Sequence, residues 1–125
     1  RMMLMHNLAY IALHRGNVER AAALLRDCLR LGLELPDKEN CAMCLVGLGC
    51  VATEAGQMAR AVRLFSAGVK ELRNLGVTPA PADQAEYDRY EARLRAALDS
   101  AMVNQLWDEG QELTPPQVIA LALAI

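Results

Sequence analysis

The chain repeats itself. Set against itself at an offset of 40 residues, it pairs Leu8 with Leu48, Ala12 with Ala52 and Gly16 with Gly56. Arg20-Ala21 meets Arg60-Ala61, Leu24 meets Leu64, and Leu35 meets Leu75. Conservative pairs keep the same register: Ile11 with Val51, Val18 with Met58, Leu25 with Phe65. Matches at fixed relative positions mark stacked supersecondary units, none of which buries its apolar face alone.

Each unit reads as two helices. Met2 to His14 carries apolar residues three and four apart, and Gly16-Asn17 breaks it. Asn17 is an N-cap for a second helix, Val18 to about Leu33. Pro36 ends the unit and Asp37 caps the next helix, Lys38 to about Ala55. Gly56 turns the chain into Met58 to about Asn74, and Gly76 closes that helix. The expected organisation is one domain over 1–125, with a first repeat at 2–35 and a second at 38–75. A stiff connector, 76–82, holds two prolines. A third helical unit and cap fill 83–125. There Asp83 is taken as the N-cap of Gln84 to Leu98, a third outer helix with Tyr87, Tyr90, Leu94 and Leu98 on one face. A short helix from Ser100 is expected to end at Gly110, and Thr114 caps a last helix opening with Pro115-Pro116. No segment alternates as a half-buried strand does, so the expected fold class is all-α.

Composition narrows the function. Apolar residues are 54% and charged residues 22% of 125, enough for one packed core. The net charge of -2 gives no pull toward nucleic acid or anionic lipid. Leu45 to Ala52 and Val118 to Ile125 are the longest apolar runs, far short of the roughly 20 residues that span a bilayer. No basic-then-apolar leader opens the sequence, and its start at Arg1 suggests a piece of something longer. Cys28, Cys41, Cys44 and Cys50 all fall in helical segments, which suits reduced thiols and a cytoplasmic setting.

The two units resemble tetratricopeptide repeats. That family places a small residue midway in helix A and a small-then-aromatic pair in helix B. Leu45, Leu48 and Gly49 fit the first pattern, and Ala61, Phe65 and Gly68 the second. Unit one offers Met5, Leu8 and Ala9, then Ala21, Leu25 and Cys28, with Leu25 where an aromatic is usual. The period is 40 residues rather than the family's 34 or so. A second resemblance runs from Leu64-Phe65-Ser66 through Leu106-Trp107-Asp108-Glu109-Gly110 to Leu113-Thr114. In that order these stretches are similar to the C-terminal repeat region of large bacterial multidomain regulators, which join a nucleotide-binding signalling module to a repeat array. The resemblances imply a curved array whose helix A residues line a groove for a partner segment. They imply a module of a signalling or transcriptional regulator, with other domains of that regulator among the partners.

The candidate groove is the stripe His6, Tyr10 and His14, with Cys50, Thr53 and Glu54 at corresponding places in unit two. A solvated helix face that binds nothing is the plain alternative. His6 with His14 makes a poor metal pair, eight residues apart or about 12 Å along a helix. Cys41-x-x-Cys44 with Cys50 lacks the second ligand pair that a zinc motif needs, and small buried hydrophobes is the better reading. No metal and no cofactor is expected. Trp107 is read as the hub of a capping subdomain. Val118, Ile119, Leu121 and Leu123 lie on a segment apolar all round, a candidate homodimer or domain interface. No phosphate loop, nucleophile elbow or His-Glu-x-x-His occurs, so catalysis is not expected. Two further readings are a small-molecule effector sensor and a dimerisation spacer.

Overall fold

The computed structural model describes residues 2–124, and among them all regular structure is helical. The elements are α1 (Met2–His14), α2 (Val18–Glu34), α3 (Lys38–Glu54), α4 (Met58–Leu75), α5 (Pro81–Ala97), α6 (Ser100–Glu112) and α7 (Pro115–Leu123). The first four are set by local chemistry that the 40-residue offset already shows. Asn17 Oδ1 accepts from the Arg20 N–H, and Asp37 Oδ1 from that of Asn40, each satisfying an orphan donor at a helix start. Gly16 and Gly56 occupy the same place in the two units at φ 77° and 78°, the left-handed region that favours glycine.

Helices α1 to α4 pack each on the next, α1 also touches α3, and one core runs through both units. Small residues set against large ones hold them close. A Cβ on Gly49 would lie 2.6 Å from the Phe65 ring, and one on Gly47 would lie 2.9 Å from Leu25. Phe65, Leu25, Leu29, Leu48 and Leu64 are fully buried. At about 1.5–3 kcal/mol per buried large side chain, they dominate the apolar term of the array.

The third unit departs from the expected plan in three places. Helix α5 starts at Pro81 with Ala80 as its N-cap, so the connector is shorter than 76–82 and Asp83 sits inside the first turn. Proline fits there because the first helical N–H needs no partner. Helix α6 runs through Gly110 to Glu112. Gly110 is buried against α4, where a Cβ would lie 2.7 Å from the Arg63 carbonyl and 2.6 Å from Ser66 Cβ. Its small size serves close approach rather than a left-handed cap. Finally, α5 is not the next outer helix of the stack. It is α6 that packs along α4, while α5 leaves the stack and lies against α3.

The α4–α6 seam is clamped by polar groups. Ser66, fully buried, donates to the Trp107 carbonyl at 2.6 Å. Gln111 Nε2 donates to the Ser66 carbonyl at 2.9 Å, and Lys70 Nζ to the Gln111 carbonyl at 2.7 Å. The Trp107 ring is half-buried against the core, and the tightest point of the seam is Gly110. Thr114 and Gln117 form a reciprocal capping box that starts α7. Val118 and Ala122 of α7 are buried against the core.

Candidate functional site

The A helices α1 and α3 present one face, and α5 lies across it. The contacts across it join His14, Glu54 and Phe65 of the array to Glu86, Arg89, Tyr87, Tyr90 and Arg93 of α5. His14 Nε2 lies 2.6 Å from Glu86 Oε1, and Arg89 reaches both His14 and Glu86. Glu54 Oε1 accepts from the Tyr90 hydroxyl at 2.9 Å and from Arg93 at 2.6 Å. Arg93 also stands over the Tyr90 ring, 5.2 Å from its centroid. Tyr87 meets Phe65 edge to face, with ring centroids 5.1 Å apart. Tyr90 is only 4% exposed.

The electrostatics follow from this docking. The Arg93 hydrogen bond holds the Glu54 carboxyl below its usual range, against a smaller opposing effect of burial, with Tyr90 helping Arg93. Tyr10 is raised well above the ordinary phenol value, by burial first and then by the Cys50 thiol and the carboxylates of Asp83 and Glu86. Tyr90 is raised by burial and then by Glu54. Both phenols stay protonated, and that of Tyr90 donates to Glu54.

Of the six sequence-predicted groove residues, four reach this face and two do not. His6 and Tyr10 are half-buried and line a cavity of about 550 Å³ that Val77, Pro79 and Asp83 also border. His14 and Glu54 are exposed and engage α5. Cys50 is 0% and Thr53 1% exposed, which corrects their placement in the groove. Helix α3 is covered by its neighbours from Cys44 to Thr53, and Glu54 at its C-terminal end is exposed on the face. The Thr53 hydroxyl turns back to the Gly49 carbonyl at 2.9 Å. The glutamate beside it, Glu54, is the residue that meets α5. Val118 is also corrected: it packs inward, while Ile119, Leu121 and Leu123 are half-buried against the same core.

Sequence reasoning missed the cover. Glu86, Tyr90 and Arg93 fall in the segment expected as a third outer helix with Asp83 as its N-cap, and the spacing of Tyr87 and Tyr90 is the signal that this helix covers something. It also missed Asn40. That buried side chain links three helices: Oδ1 lies 3.0 Å from His6 Nε2 and 3.3 Å from Cys28 Sγ, and Nδ2 donates to the Cys28 carbonyl at 3.1 Å. Burial raises Cys41, Cys44 and Cys50 above the ordinary thiol value.

A second cavity of about 440 Å³ lies between α2, α3, α4 and α7, lined by Leu33, Pro36, Ala42, Leu45 and Ile119 among others. No helix among the described residues is long and apolar enough to cross a membrane.

Paired antiparallel helices sharing one core, with a continuous A-helix face, define a helical-hairpin repeat protein. The family model of the tetratricopeptide repeat matches residues 1–69, and the chain belongs to that family. No curated protein and no solved structure gives a significant match. Repeats of this family form a fold for protein interaction and scaffolding rather than for catalysis.

Proposed function

We propose that the chain is the interaction module of a larger cytoplasmic bacterial regulator of signalling or transcription, and that it holds a protein segment on the A-helix face. The observation that carries this is α5 itself. The face already takes a helix that offers Tyr90 and Arg93 to Glu54 and Glu86 to His14. It therefore has the polarity and width for a helical segment with a tyrosine and an arginine three residues apart. A partner would displace α5 or enter beside it, over His6 and Tyr10. The work is contact, with no bond made or broken.

The test is selection of helical peptides from a displayed library on the native chain. Selected peptides are expected to carry the Tyr-x-x-Arg spacing, to lose binding to a Glu54→Arg variant and to free α5. Peptides with no such spacing, bound equally by both proteins, would sink this reading. A small-molecule effector sensor is a second reading, favoured by the mainly apolar cavity beside Leu45 and Ile119. Ligand mass retained in native mass spectrometry and lost in Leu45→Trp supports it. Dimerisation through Ile119, Leu121 and Leu123 has less support, since α7 spends much of its apolar surface on its own chain.

A further inference from the structure

The three-helix junction around Asn40 holds more than packing. His6 comes from α1, Cys28 from α2 and Cys44 from α3. The imidazole nitrogen and the two sulfurs all lie within 4.8 Å of one another. The His6 Nε2 to Cys44 Sγ distance is 3.6 Å. A tetrahedral zinc with Zn–N near 2.0 Å and Zn–S near 2.3 Å has an N···S edge of about 3.5 Å. Asn40 Oδ1, at 3.0 Å from His6 Nε2 and 3.3 Å from Cys28 Sγ, stands where a fourth donor belongs.

Hydrogen bonding alone does not satisfy this cluster. A neutral His6 Nε2 donates to Asn40 Oδ1 or accepts from the Cys44 thiol, and it cannot do both. Incomplete satisfaction in a buried polar cluster asks for a missing group, an ion among the candidates. The approach to the cluster is built for a cation. His6 and Asn40 line the 550 Å³ cavity together with Asp37, Glu39 and Asp83, and among the described residues no lysine or arginine lines it.

We propose that His6, Cys28 and Cys44 bind one Zn²⁺ or a similar borderline-soft divalent cation, with Asn40 Oδ1 as the fourth donor. On binding, two S–H bonds break, two metal–thiolate bonds form, and two protons leave to solvent. No oxidant or reductant takes part. The ion joins the N-terminal helix to both B and A helices beside it, so its role is structural. Its ligands come from three helices, so no short-range spacing in the sequence marks it.

The test is an anaerobic Co²⁺ titration of the freshly reduced native chain, followed by Zn²⁺. Expected are a thiolate-to-cobalt charge-transfer band with tetrahedral visible bands, saturation at one ion per chain, and bleaching by Zn²⁺. Cys28→Ser and Cys44→Ser are expected to lose the band, and Cys41→Ser to keep it. His6→Gln is expected to weaken binding by more than the roughly 100-fold that outer-shell changes cost. Circular dichroism separates lost binding from lost folding. The native titration decides alone where a variant misfolds. Absence of the charge-transfer band in the native chain overturns the proposal. So do weak octahedral bands alone, which place the ion on the rim carboxylates, or a band that survives both serine variants.

Discussion

At the scale of single residues, close approach matters more than hydrophobicity. Gly110 and Gly49 each stand where a methyl group would overlap a neighbour, but the neighbours differ. Against Gly110 stands the Arg63 carbonyl, which cannot move without α4. Gly110→Ala gains up to about 1 kcal/mol of helix propensity and loses about 1–3 kcal/mol to overlap. Net destabilisation is expected in urea unfolding; a more stable variant would contradict the seam described. Against Gly49 stands the Phe65 ring, a side chain. Gly49→Ala is expected to be partly rescued by Phe65→Leu, which leaves room, so a double-mutant cycle should give a coupling of about 0.5 kcal/mol or more. Phe65 and Gly49 were legible in the sequence as a large–small set. Gly110 was legible only as a helix breaker, because a glycine at a crossing and a glycine at a cap look alike until the neighbouring helix is known. Cys50 and Thr53 were misplaced for a related reason. Periodicity gives the apolar face of a helix covered on one side, and it gives none for α3, which is covered from Cys44 to Thr53.

At the scale of elements, α5 and α7 are held by different means. Helix α7 depends on its start. Thr114→Ala removes the hydroxyl of the capping box and is expected to cost about 1 kcal/mol, read as faster hydrogen exchange in α7 with α3 unchanged. Helix α5 depends on Glu54 and the groups around it. The Glu54 carboxyl titrates below its ordinary value in the docked state because Arg93 favours the charged form. A lowered carboxylate contributes stability that is present above its free value, about pH 4.3. That stability is lost as pH falls through the docked value. Exchange in α5 is therefore expected to speed up relative to α3 below about pH 4.3. Glu54→Gln should flatten this pH dependence and leave α5 loosely held throughout. A native α5 that stays protected at pH 3 while α3 begins to open would count against this docking. The spacing of Tyr87, Tyr90 and Leu94 gave this helix an apolar face but not its counterpart. In a repeat array, the default is the next stacking position, and here α6 takes it.

For the whole molecule, stability is unevenly distributed. The array is built on buried aliphatic and aromatic contacts, whereas α5 adds to its buried Tyr90 and Leu94 a set of ion pairs with half-exposed partners such as Arg93 and Glu54. Salt screens the ion pairs, and a kosmotropic salt such as sulfate strengthens the buried apolar contacts. At 1 M salt, α5 is expected to exchange faster while α3 and α4 slow or hold, a divergence that hydrogen exchange with mass spectrometry would resolve. The repeat itself was readable from end to end of the first two units, because the 40-residue offset records a geometry that recurs. What followed did not recur, and so composition and caps alone had to place it.

The short connector between α4 and α5 has a thermodynamic meaning for any competitor. A tethered segment confronts its surface at an effective concentration on the order of millimolar. A free peptide with the same intrinsic affinity, supplied at about 10 µM, is then outcompeted roughly 100-fold. Only a segment with better contacts, or a condition that releases α5 first, gains the surface. The apparent dissociation constant of any partner is its intrinsic value divided by the fraction of molecules with α5 released. Affinity on this chain is thus adjustable through residues that never touch the incoming partner.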